Sequence, residues 1–166
     1  MEKKVERLKK MRIFSDFGSD EIHQVAKIAM EKIYPAGGNI INEGEVGEGL
    51  FTIVEGEVQV KKRMPGFKEQ ESLADLKAGD HFGEMGLIDG KSASASIVAT
   101  TPAICFVIKR KDYQDLLSRE PIIAMKLYRF YTTTLCERLR RTDAYLLEEL
   151  SRNKRKIKPG LLDPAT

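Results

Sequence analysis

The apolar positions change their period twice along the chain. In residues 2–12, Val5, Leu8 and Met11 recur every third residue among charged neighbours, which fits one face of a short helix. Ser19-Asp20-Glu21 then precedes Ile22, Val25, Ala26, Ile28 and Ala29. A second helix is predicted over about 20–31, with Ser19 as its N-cap, ended by Tyr34-Pro35-Ala36-Gly37-Gly38. From Asn39 onward the pattern becomes short β-rich runs cut by glycine-containing turns: Ile40-Ile41, Leu50 to Val54, and the alternating Val58-Gln59-Val60. Glu69 to Leu76 reads as a further strand with Leu73 and Leu76 inward. Ser94 to Thr100 and Ala103 to Ile108 make two more, joined at Thr101-Pro102. Short strands at roughly even spacing predict a β-sandwich or barrel.

After Lys109 the helical period returns. Asp112 to Ser118 is one short helix, and Pro121, well tolerated in a first turn, opens a much longer one to about Leu150. Along it Tyr128, Thr132, Leu135, Leu139, Thr142, Leu146 and Glu149 alternate steps of four and three, with Met125 a turn earlier, which draws a seam along one side. Thr and Glu interrupt that seam, so a helix packed only on its own barrel is the plainer alternative. The favoured reading is a homodimer helix over about 121–150. Residues 151–166, SRNKRKIKPGLLDPAT, are polar, basic and proline-containing, and are expected to form a flexible tail beyond a single domain of 1–150.

A chain of 166 residues suits one domain with helical extensions, and 42% hydrophobic with 32% charged residues suits a soluble globular fold. No apolar run approaches the ~20 residues that span a bilayer, and MEKKVERLKKMRIF has no apolar segment after its charges. The expected compartment is the cytoplasm, with no membrane partner. Cys105 and Cys136 sit in apolar surroundings without CxxC spacing and read as reduced, buried residues; no metal site is expected. His23 and His81 lie beside no nucleophile pattern, so no enzyme is expected. Residues 1–12 and 151–166 each carry +4 and the body between them −5. Basic ends of this kind are more often solvated than bound to nucleic acid, and DNA is not an expected partner.

Several motifs stand in a specific order: Tyr34-Pro35-Ala36-Gly37, Glu43-Gly44-Glu45, the hairpin LFTIVEGEVQV from Leu50 to Val60, and Gly79-Asp80-His81-Phe82-Gly83-Glu84-Met85-Gly86-Leu87. Together they resemble the cyclic nucleotide-binding domain family, in its catabolite activator-like sensor form, over about Leu8 to Leu150. The resemblance implies an α+β fold: a double-stranded β-helix, or jelly-roll barrel, flanked by N-terminal helices and a long C-terminal helix. It implies a phosphate-binding cassette built from Gly83, Glu84, Met85, Ala93, Ser94 and Ala95. Glu84 would accept the ribose hydroxyl, and Gly83 would let the backbone approach the sugar and phosphate. The turn after Glu84 resembles the short cassette helix whose N-terminal amides face the phosphate. Phe82, Met85 and Leu87 are expected to plug the barrel.

Most members of that family place an arginine ten residues after the Gly of Phe-Gly-Glu, where it neutralises the phosphate. Counting from Gly83 puts Ala93 there, with Ser94-Ala95 matching the small pair that follows. The cassette is therefore expected to be degenerate, with cyclic nucleotide binding weak or altered. Lys91, Arg138 and Arg141 are the candidate rescue cations, although a lysine does not reproduce a bidentate guanidinium. Ser92, Ser94 and Ser96 alternate with Ala93 and Ala95, which in a strand puts three hydroxyls on one face. That face is either a polar outer surface or the lining of a pocket for a weakly charged ligand.

Only sixteen residues follow Leu150, too few for a helix-turn-helix unit, so a free-standing module without a DNA-binding domain is expected. Two classes of function fit. One is a regulatory ligand sensor that needs no cofactor and takes cyclic AMP, cyclic GMP or another small ligand, with output through a dimer or a protein effector. The alternative is a ligand-independent dimerisation or protein-interaction scaffold.

Overall fold

The computed structural model describes residues 1–156 except 65 and 68, with side chains as far as Arg152. It comprises two compact units, Met1–Leu127 and Tyr128–Thr166. In the first, α1 (Glu2–Lys9), a 3-10 turn (Arg12–Phe14) and α2 (Ser19–Ile28) precede eight strands. These are β1 (Met30–Tyr34), β2 (Asn39–Ile41), β3 (Gly49–Glu55), β4 (Glu57–Arg63), β5 (Gln70–Lys77), β6 (His81–Phe82), β7 (Ser96–Ala99) and β8 (Ala103–Lys109). Helix α3 (Glu84–Asp89) separates β6 from β7, α4 (Arg110–Arg119) follows β8, and α5 (Pro121–Lys156) begins in this unit and continues through the second.

The strands form two antiparallel four-stranded sheets, ordered β1-β8-β3-β6 and β2-β7-β4-β5. Eight strands distributed in this way make a jelly roll, as the resemblance implied. Phe51, Ile53, Val58, Phe82, Ile97, Ala99, Cys105 and Val107 fill its interior. The intervening residues Leu50, Thr52, Phe106 and Ile108 are also buried, because the outer face of the first sheet lies beneath helices, with α3 and α4 packing on β3. A strand buried on both faces reads as a continuous apolar run, which is what Leu50 to Val54 shows.

The N-terminal helices are shorter than predicted. Helix α1 stops at Lys9 and Met11 is extended, although its side chain stays buried. The N-cap of α2 is Gly18, not Ser19, because the Glu21 carboxylate reaches back 2.6 Å to accept the Gly18 N–H. Ala29 is extended and ends α2, so Met30 and Glu31 are not the tail of a helix but belong to β1, which is paired along its length with β8. The Lys4 ammonium donates to the carbonyl oxygens of Ala26 and Ala29 at 3.2 and 2.8 Å, satisfying acceptors that the helix end leaves open.

Leu73 faces outward, 61% exposed, whereas Leu76 packs partly against the barrel interior. The cause is a register shift between Val60 and Lys61: Val60 pairs with Ala74 and Lys61 with Ser72, so Leu73 is the unopposed residue of a bulge. Strand β7 begins only at Ser96, which leaves 91–95 as a loop; Ser92 and Ser94 are exposed and Ser96 is buried, so the three serines share no face.

Helix α4 starts earlier than predicted, at Arg110, and α5 runs through Lys156, so 151–156 continues the helix where a tail was expected. The rest of that expected tail, 157–166, lies outside the described residues. Within the second unit Tyr128, Leu139 and Leu146 are 47%, 60% and 54% exposed. Thr132 and Thr142 donate their hydroxyls to carbonyls one turn back, on Tyr128 and Arg138. Cys136 is exposed, against the expectation of burial, because it lies beside the seam of α5 and not within the barrel as Cys105 does. Among the described residues no helix is long and apolar enough to cross a membrane, and no cluster of His, Cys, Asp or Glu is arranged to hold a metal ion.

Candidate functional site

Two glycines frame the cassette helix. Gly83 and Gly90, at either end of α3, adopt the left-handed region with φ of 87° and 72°. Gly83 also needs its missing side chain: a Cβ there would press into the Gly49 carbonyl oxygen and approach Phe51 Cδ2 at 3.2 Å. Phe82, one residue earlier, stacks on Phe51 with ring centroids 4.9 Å apart. Phe82 therefore plugs the barrel as expected, whereas Met85 is 45% exposed and Leu87 only partly buried, because the left-handed turn at Gly83 swings α3 out of the strand direction.

Glu84 is the first residue of α3 and only 2% exposed. A carboxylate in the first turn sits at the favourable end of the peptide dipoles, which eases its burial. The loop that follows α3 and carries Ala93, Ser94 and Ala95 is fixed through its backbone. Ala93 N–H donates to the Glu45 carbonyl at 2.8 Å, and the Ala93 carbonyl accepts from Gly44 N–H at 2.9 Å. The EGE turn is thus a template for the loop. Ser96, the first residue of β7, secures the same region: its hydroxyl accepts the Glu43 N–H at 3.0 Å and the Gln70 amide at 3.2 Å.

The two halves of the cassette meet where Ser94 Oγ lies 3.7 Å from Met85 Sδ. Gly83, Glu84, Met85, Ala93, Ser94 and Ala95 therefore occupy one helix and the loop joined to it. The side chain at 93 is a methyl group, partly buried against the barrel interior. Of the cations singled out in the sequence, Lys91 is exposed at the start of the loop, with its backbone N–H on Asp89. Arg138 and Arg141 belong to the second unit, on α5. The carboxylates of the flanking turn are engaged elsewhere: Glu43 accepts the Arg63 N–H, Glu45 the Asn42 amide, and Glu48 pairs with Lys32 at 2.6 Å.

Sequence reasoning missed one residue, Arg110. Its guanidinium donates to the Gly86 carbonyl of α3 at 3.0 Å. The basic run Lys109-Arg110-Lys111 was the available signal, but nothing in it told which side chain turns towards α3. Tyr34, from the YPAG segment, is half-buried against the barrel interior; burial, with the Cys105 thiol and Glu48 adding to it, pushes its phenol up to about 12.

The model of the cyclic nucleotide-binding domain matches residues 31–120. The Cyclic AMP receptor protein of Thermus thermophilus is 31% identical over 134 residues, which cover 81% of this chain and 60% of that protein. A cyclic nucleotide-gated potassium channel of Rhizobium etli is 36% identical over 112 residues, covering 68% of this chain and 30% of the channel. The chain thus spans less than two thirds of the length of either relative. Among solved structures, a cyclic nucleotide-binding domain from Methylobacillus flagellatus KT superposes with a TM-score of 0.65 at 30% identity, over 97% of this chain and 86% of that one. The matched span reaches into all eight strands and holds the cassette and α4, and by it the chain belongs to the cyclic nucleotide-binding domain family.

Proposed function

We propose that this chain is a regulatory sensor module that binds cyclic AMP or cyclic GMP weakly, or holds in the same cassette another small ligand with a ribose-like hydroxyl pair. The carrying observation is the combination at position 93. The loop has its full backbone pairing to Gly44 and Glu45, yet the side chain is a methyl group where the family has its guanidinium. Loss of a charge-assisted partner from a desolvated anion costs ~2–5 kcal/mol, or roughly 30-fold to several thousand-fold in affinity. Glu84, buried at the start of α3, is the group assigned to the sugar hydroxyls.

Output passes through α5 as a homodimer helix, an assignment supported by the exposed Tyr128, Leu139 and Leu146 on its seam, and from there to a protein effector. The name of the Thermus relative, a cyclic AMP receptor, favours a cyclic nucleotide over an unrelated ligand. Calorimetric titration of cyclic AMP and cyclic GMP against the full chain and its Ala93→Arg variant tests the reading. Weak or no binding by the wild type, with a gain of at least ~30-fold in the variant, is expected. Micromolar binding by the wild type, or no binding by either protein, overturns it.

A further inference from the structure

We propose that Arg110 is a positioning residue that couples the cassette helix to α4. Its place in the chain makes this possible: it is the first residue of α4, immediately after β8. Its backbone N–H donates to the Glu48 carbonyl at 2.9 Å, and its Nη1 donates to the Gly86 carbonyl at 3.0 Å. Glu48 ends the segment whose Gly44 and Glu45 hold Ala93, and Gly86 lies in the middle of α3. Both halves of the cassette therefore converge on a single residue at the base of α4.

The fit at Gly86 is close. A Cβ there would stand 2.9 Å from the Lys91 carbonyl oxygen, so the missing side chain is what admits that carbonyl, and it would lie in ordinary contact, 3.5 Å, with Arg110 Nη2. The Gly86 carbonyl also accepts the Gly90 N–H at 3.1 Å, the bond that closes α3. Arg110 thus shares the acceptor on which the helix end depends. The last turn of α3 has no basic residue of its own, and a cation there is favoured by the peptide dipoles; Arg110 supplies it from another element.

Arg110 Nε is buried and has no hydrogen-bond partner among the described residues. A buried unsatisfied donor is unfavourable, so the side chain is held in place by the Gly86 bond and regains hydration when that bond breaks. A ligand that moves α3 by a small amount would then bias this contact. The inference rests on the reading that α3 and the Ala93 loop form the ligand site.

Amide hydrogen exchange on the full chain tests it without a ligand. Arg110→Met keeps much of the apolar stem and removes every donor; Arg110→Lys keeps a cation and a donor. In Arg110→Met the Gly90 N–H and its α3 neighbours should exchange about tenfold faster, the size of a hydrogen bond to a charged group. The amides of β3 and β8 should stay at the wild-type rate, and Arg110→Lys should lie between. Unchanged exchange in α3 overturns the proposal. So does equal acceleration of α3 and the barrel strands, which would report general loss of stability. A second arm places Arg110→Met in the Ala93→Arg background. There the nucleotide affinity should fall about tenfold and the ligand-induced protection of α4 amides should vanish. Absence of nucleotide binding in the Ala93→Arg protein itself would sink the ligand reading, while the exchange arm still decides the coupling.

Discussion

Gly83→Ala separates the backbone and packing demands of the cassette when it is set beside Gly90→Ala. Both glycines are left-handed, with φ of 87° and 72°. A non-glycine residue in that region costs roughly 1–2 kcal/mol, offset by ~0.4–1 kcal/mol from the restricted unfolded chain. At Gly90 nothing lies within 4 Å of a new Cβ, so the net loss should be about 1 kcal/mol. At Gly83 the methyl group meets the Gly49 carbonyl and Phe51. Gly49 is itself held closely against β8, where it pairs with Lys109 and where even a Cβ of its own would overlap the Ile108 carbonyl oxygen. Overpacking of this kind adds ~1–3 kcal/mol, for a total of about 2–4 kcal/mol. For a chain of this size that corresponds to a fall in Tm of about 2–4 °C for Gly90→Ala and about 4–16 °C for Gly83→Ala. Thermal unfolding followed by circular dichroism reads the difference. If Gly83→Ala is no less stable than Gly90→Ala, the close approach of Gly83 to Gly49 is not a constraint and the argument fails.

Three further outcomes are expected. The Glu21 carboxyl is held below its ordinary value, chiefly by the hydrogen bond from Lys126, whose ammonium lies 2.6 Å away. A depressed folded value means that the pair stabilises above the ordinary carboxylate range and is lost as pH falls through the folded one. Wild type should therefore exceed Glu21→Gln in Tm at neutral pH and converge with it in acid; a gap that persists in acid would refute the assignment. Burial pushes the Cys105 thiol up to about 12, while Cys136 is exposed. A chromogenic thiol reagent at neutral pH should then titrate Cys136 alone in the folded chain and both cysteines in denaturant; fast reaction of Cys105 in the native state would contradict the packing. Sedimentation of a Leu139→Asp, Leu146→Asp variant should give a lighter species than wild type, and equal masses would remove the dimer helix from the proposal.

The order of elements was legible because glycine turns and changes of period mark the chain wherever the backbone itself must bend, as at Gly56 and Gly83. What escaped depends on partners distant in sequence. Met30 and Glu31 read as the end of a helix until β8 is present to pair with them. Leu73 reads as core until the bulge opposite Val60 and Lys61 turns it outward, and the serines from 92 to 96 share a face only if that stretch is a strand. At the site, it was the resemblance to the family's motifs that singled out Glu84 and Ala93. The backbone pairing of Ala93 with Gly44 and Glu45, and the reach of Arg110 to Gly86, are tertiary facts with no local pattern.

The main-chain pairing of Ala93 has a consequence for how such a module can diverge. Since the loop takes its shape from two backbone hydrogen bonds to the turn at 44 and 45, the side chain at 93 adds only a partly buried methyl group to the packing of the barrel. On the proposed reading, recognition and foldability are then separable at this position: a single replacement there can weaken or restore ligand binding while the frame around it stays in place.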